Sequence, residues 1–124
     1  MAKWANDDVM DVALDEIAKA NTLHICTSQP ATRAAAISSS LADIALTPGD
    51  GNGDYTIANG DTSGRKVTIA SQDNFPVDTT GTATHVALID ATRLLYVTTC
   101  TSQVLTAGNT VTVPAWDAEI ADPI

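Results

Sequence analysis

The chain has 124 residues, and fifteen acidic against six basic side chains give it a formal charge of −9. Phosphate binding needs clustered Lys and Arg, but only Arg65 and Lys66 stand together, so the charge disfavours both nucleic acid and an anionic membrane surface. No apolar run approaches the roughly 20 residues of a membrane span. MAKWANDD lacks the apolar stretch and cleavage site of a secretory signal, so synthesis in the cytoplasm without Sec export is expected.

This length suits one domain, 1–124, with a real core. Hydrophobic residues make up 44% but aromatic ones only 4%, so Val, Ile, Leu and Ala must build that core. Trp4, Tyr55, Phe75, Tyr96 and Trp116 are its few large pieces. A core so thin makes oligomerisation a natural supplement.

In chain order, Asn6 to Ala20 reads as a helix within the segment 5–20. Val9, Ala13 and Ile17 recur every four residues with Met10 and Leu14 beside them, making one apolar stripe. Asn6 or Asp7 caps the first turn, Asp7 and Asp8 suit the positive end of the helix dipole, and Lys19 suits the negative end. Asp8, Asp11 and Asp15 mark a wet face. A β body follows over 22–120. Thr22–Thr27 is a short strand ended by Pro30. The segment 31–50 reads as a loose, partly helical connection, because three serines interrupt Ala34–Ile44, with a short strand near Ile44–Leu46. Gly49–Gly64 is a polar connection containing one possible strand, Tyr55–Ile57. In RKVTIA, Val67 and Ile69 share one face and Lys66 and Thr68 the other. SQDNFPVDTTG is expected as a loop with Phe75 and Pro76 against the core edge.

Three β-prone runs close the chain and predict an antiparallel meander: THVALID, LLYVTTC and NTVTVPAWDAEI. Both faces of THVALID are apolar, as befits a covered central strand. In the last run the apolar positions shift from odd (Val111, Val113) to even (Trp116, Ala118, Ile120). Such a shift reverses the faces of a strand, so Pro114–Ala115 is expected as a bulge or bend at a sheet edge. Residues 121–124 read as a loose tail. The fold class expected is mainly β: an antiparallel β-sandwich or barrel-like domain with a short N-terminal α-helix.

The residues suggest little chemistry. Asp50, Asn52, Asp54 and Asp61 occupy first, third, fifth and twelfth positions resembling an EF-hand loop, and calcium takes six to eight oxygen ligands. Tyr55 stands where the sharp turn needs Gly, Asp61 replaces a longer bidentate Glu, and flanking helices are missing. An ordinary polar loop is therefore expected, with these four residues as calcium candidates. His24 and His85 lie in separate strands, and no third orienting group or oxyanion hole can be placed for a nucleophile. Cys26 and Cys100 have no metal-binding spacing; they are small buried hydrophobes or the ends of an inter-strand bridge. No catalytic residue, metal or cofactor is expected, and the chain does not read as an enzyme.

The segments DDVMDVALDEIAKA, LHICTSQP, GDTSGRKVTIA, GTATHVALID, LLYVTTC and LTAGNTVTVPAWDAEIADP resemble small structural proteins of tailed bacteriophages and prophages. The resemblance implies a virion component, of the decoration (cement) type, on the capsid exterior. Such a protein binds the major capsid protein and copies of itself, and it stabilises the head. Trp4, Val9, Ala13, Ile17, Pro114 and Trp116 are the interface candidates, on the helix and the kinked edge. A tail, tail-fibre or head-spike component is the alternative within the same setting. A carbohydrate- or calcium-binding β module is the alternative outside it.

Overall fold

The computed structural model describes residues 3–123. Helix α1 spans Asp7–Ile17, followed by β1 (Thr22–Cys26), a second helix α2 (Arg33–Ser38) and β2 (Ser40–Ala45). The remaining strands are β3 (Tyr55–Asn59), β4 (Arg65–Ile69), β5 (Gln72–Pro76), β6 (Gly81–Ile89), β7 (Leu94–Leu105), β8 (Thr110–Val113) and β9 (Trp116–Ile120). The fold is mainly β, every strand pairing is antiparallel, and no sheet of the described residues closes into a barrel. No described helix is long and apolar enough to cross a membrane.

The chain forms two compact units. One gathers the stretch up to Lys19, Thr47–Ser71 and the chain from Pro114 onward. The other consists of Ala20–Leu46 and Gln72–Val113.

In the first unit the sheet order is β3-β4-β9, and α1 packs on β4. Alternation along β4 puts Arg65, Val67 and Ile69 on one face and Lys66 and Thr68 on the other. Val67 and Ile69 are fully buried, while Lys66 and Thr68 reach across to Asp117 of β9. Asn6 caps α1, its side chain accepting from the Asp8 N–H at 2.7 Å. The helix stops at Ile17, short of the expected Ala20, with Ala18 as its C-cap. Gly64, at φ +70°, turns the chain into β4 beside the end of β9, where an added Cβ would lie 1.8 Å from the Ile120 carbonyl oxygen. The expected tail is tied down at one point, since the Asp122 N–H donates to Ser63 Oγ at 3.2 Å.

In the second unit a four-stranded sheet has the order β2-β1-β6-β7. β6 is its covered interior strand: Val86, Ala87, Leu88 and Ile89 are consecutive and all buried, so both faces are packed. On one face Cys26, Ala36, Ala87 and Ile89 form a cluster to which Leu94 and Val97 add. Helix α2 supplies Ala36, starts under the Thr32 cap and stops where the serines begin. There Ser38 and Ser39 turn their hydroxyls back to the Ala35 carbonyl. Strand β2 therefore starts at Ser40, ahead of the strand expected near Ile44–Leu46. Asp90 locks the β6–β7 turn by accepting from the N–H groups of Thr92 (2.8 Å) and Arg93 (2.6 Å).

The expected three-run meander needs correction. β6 and β7 pair, but β7 ends the sheet, and β8 pairs with β5 instead. The expected loop SQDNFPVDTTG thus contains a strand, made irregular by Asn74 at φ +52° and a register shift between Gln72 and Phe75. Phe75 is buried, as its position at a core edge required. Pro114–Ala115 marks more than a bulge: β8 before it and β9 after it belong to different sheets.

Candidate functional site

The outer face of α1 gathers the interface candidates. The inward line is Met10 and Leu14, both buried, with Ala18 following at the cap. The expected stripe accordingly divides. Ile17 is half-buried, Ala13 is exposed, and Val9 turns outward with 67% of its surface open. Val12, which the stripe omitted, is 64% exposed and lies three residues from Val9 on the same outer face. Trp4, just ahead of the helix, is 81% exposed. Five large hydrophobic side chains stand out among the described residues, and three of them fall within these nine positions.

Acids border one side of this apolar face, where Asp8 and Asp15 are exposed. Asp11 is held differently: its two carboxylate oxygens accept from Arg65 Nε at 2.8 Å and Nη2 at 3.2 Å. This bidentate pair raises the affinity of Arg65 for its proton, with the Asp11 hydrogen bond as the leading cause. It also fixes α1 rotationally on β4, so the Val9–Val12 face is presented by a braced helix. The other interface candidates stand at the β8–β9 joint, where Pro114 is exposed and Trp116 half-buried opposite Ile69.

The calcium candidates serve separate local bonds. Asp50 Oδ1 accepts from the Ile57 N–H, Asp54 Oδ2 from the Thr47 N–H, and Asn52 Nδ2 donates to the Pro48 carbonyl. Asp61 pairs with Lys66 at 2.6 Å. Among the described residues no group of three or more His, Cys, Asp or Glu side chains is placed to hold a metal ion.

Sequence reasoning missed the neighbour of His24. Its Nδ1 lies 2.8 Å from Ser40 Oγ, whose hydroxyl donates to the Ala42 carbonyl. When the serine proton goes to the Ala42 carbonyl the ring nitrogen is the donor in the pair, whereas a base that activates a serine must accept that proton. Burial, foremost, depresses the His24 pKa and keeps the ring neutral. His85 Nδ1 is 2.8 Å from Thr84 Oγ1. Cys26 and Cys100 are both free thiols, and burial raises the pKa of each, which lowers their reactivity.

Comparison with known proteins returns no matching protein family, no matching curated relative and no matching solved structure.

Proposed function

We propose that the protein is a structural component of a tailed-phage virion. It acts as a decoration protein on the outside of the capsid lattice and docks through the outer face of α1. The observation carrying this reading is the exposure of Val9 and Val12 on a helix whose opposite face is buried, with Trp4 exposed just ahead of it. Tryptophan is the residue most enriched at energetic centres of interfaces. A helix already braced by the Asp11–Arg65 pair loses little freedom on docking. The resemblance of the strand and turn segments to phage structural proteins supplies the setting, and the acidic rim calls for a basic border on the partner groove.

The test mixes the purified chain with expanded capsids that lack it and measures bound copies per shell. Saturation at a stoichiometry matching the lattice is expected. Trp4→Ala combined with Val9→Ala and Val12→Ala should weaken binding by at least about 30-fold, the equivalent of about 2 kcal/mol. Binding to isolated tails with none to shells would transfer the protein to the tail. Unchanged shell binding by the triple variant would remove α1 from the contact.

A further inference from the structure

The tripeptide Asn-Gly-Asp occurs twice in the chain. Asn52–Asp54 lies in the loop before β3, and Asn59–Asp61 begins at the last residue of that strand. An Asn-Gly step can close on itself by attack of the glycine nitrogen on the Asn Cγ, and glycine, with no Cβ, leaves that attack unhindered. Closure needs a carboxamide free to swing over and a nitrogen free to receive it. The two copies share their chemistry and differ in both of these conditions.

Asn59 is held at each point. It pairs with Arg65 across the β3–β4 ladder, and its Oδ1 accepts from Arg65 Nη1 at 2.9 Å. The attacking nitrogen is engaged as well, since the Gly60 N–H donates to the Gly64 carbonyl at 2.9 Å. Space is short there: a Cβ on Gly60 would lie 2.0 Å from the Ser63 carbonyl oxygen. The neighbouring Asp50–Gly51 step is locked in the same manner. Asp50 Oδ1 accepts from the Ile57 N–H at 2.9 Å, and the Gly51 N–H donates to the Tyr55 carbonyl at 2.8 Å.

Asn52 is open. Both it and Gly53 are exposed, and a Cβ added to Gly53 would meet no atom within 4 Å. Among the described residues nothing accepts from the Gly53 N–H. One solvent-facing bond restrains the carboxamide, from Asn52 Nδ2 to the Pro48 carbonyl at 2.8 Å. A single exposed hydrogen bond opens far more often than a bonded strand end.

We infer that Asn52 is a site of spontaneous deamidation in the folded protein and that the fold protects Asn59. The Gly53 nitrogen bonds to Asn52 Cγ and loses its proton to solvent base. The Cγ–Nδ2 bond breaks, and Nδ2 takes up a proton and leaves as ammonia. Water then opens the succinimide: addition at Cγ gives aspartate, and addition at the main-chain carbonyl gives isoaspartate, with the backbone rerouted through the side chain. Either product replaces the donor to the Pro48 carbonyl with a carboxylate between Asp50 and Asp54. The chemistry belongs to the free chain and needs no virion.

The folded chain, incubated in mildly alkaline buffer and mapped by peptide mass spectrometry, should convert Asn52 at least about tenfold faster than Asn59. Labelling with an isoaspartate methyltransferase should mark the same loop peptide. In urea that unfolds the chain the two rates should converge, because neither tripeptide then keeps its hydrogen bonds. Asn52→Gln should abolish the fast conversion and leave the slow one at Asn59. Equal rates at the two sites in the folded chain, or no conversion at Asn52, would overturn the assignment. A difference that persists undiminished in urea would overturn it too, by tracing the selectivity to flanking sequence.

Discussion

Replacing Leu14 and replacing Val9 separate the two faces of α1 energetically. Leu14→Ala removes three buried carbons at roughly 0.8 kcal/mol each, about 2.4 kcal/mol in transfer alone. Leu14 is fully buried, so a residual cavity adds to this, for a total of about 3–4 kcal/mol. Val9→Ala removes two carbons from a side chain that is only about one-third buried, which costs about 0.5 kcal/mol. Alanine's better helix propensity returns about the same amount. The expected net change is near zero, and the same sum holds for Val12→Ala. Urea unfolding followed by tryptophan fluorescence suits the comparison, because Trp4 and Trp116 both lie in the unit containing α1. Leu14→Ala should lower the midpoint of that transition sharply with the slope unchanged, and the valine variants should leave it in place. If Val9→Ala proves as costly as Leu14→Ala, the face assigned as open is a packed one. A loss below about 1 kcal/mol for Leu14→Ala would mean that α1 is not seated through Leu14.

Gly64→Ala should destabilise the β3-β4-β9 unit by at least about 1–3 kcal/mol from backbone strain alone, with the Ile120 carbonyl clash in addition; thermal unfolding against Gly51→Ala, where a Cβ meets no atom within 4 Å, isolates the clash. For Asp90, backbone hydrogen bonds, that from Thr92 foremost, hold the carboxyl at about 2, below its unfolded value of about 3.9. Its contribution is therefore complete above the unfolded value and lost as pH falls toward about 2. An NMR titration of the side-chain carboxyl should find that midpoint, and a value near 3.9 would show the β6–β7 turn to be unlocked. His24 is depressed by burial, so its neutral ring favours the fold above about 6.5 and this contribution fades as pH drops below that.

The mainly β class, the N-terminal helix and the interior position of β6 were legible because each rests on apolar periodicity. Val86–Ile89 leaves no polar face to expose, and Met10–Leu14 carries a helical repeat. The inward side of α1 was not legible. Val9, Ala13 and Ile17 match the repeat as well as Met10 and Leu14 do, and the Asp11–Arg65 pair that settles the rotation joins residues 54 positions apart. β5 was hidden for a related reason: QDNFP has one buried residue, a proline and a left-handed Asn74, so its strand character comes from pairing with β8. The slip at Pro114 was visible as a change of parity. That it sends β8 and β9 to different sheets was not, since partner choice depends on β4 and β5. Trp4 was nominated as a contact from residue type and Val9 from the apolar stripe, whereas Val12 became visible only with the helix in place.

Electron cryo-microscopy of tailed-phage particles prepared with this chain tests the proposed role most directly. The expected result is density for the protein on the outer surface of the shell, with Trp4, Val9 and Val12 covered by a capsid subunit. Density at the tail with none on the shell would contradict the proposed role, and density on the shell with α1 facing solvent would contradict the proposed contact.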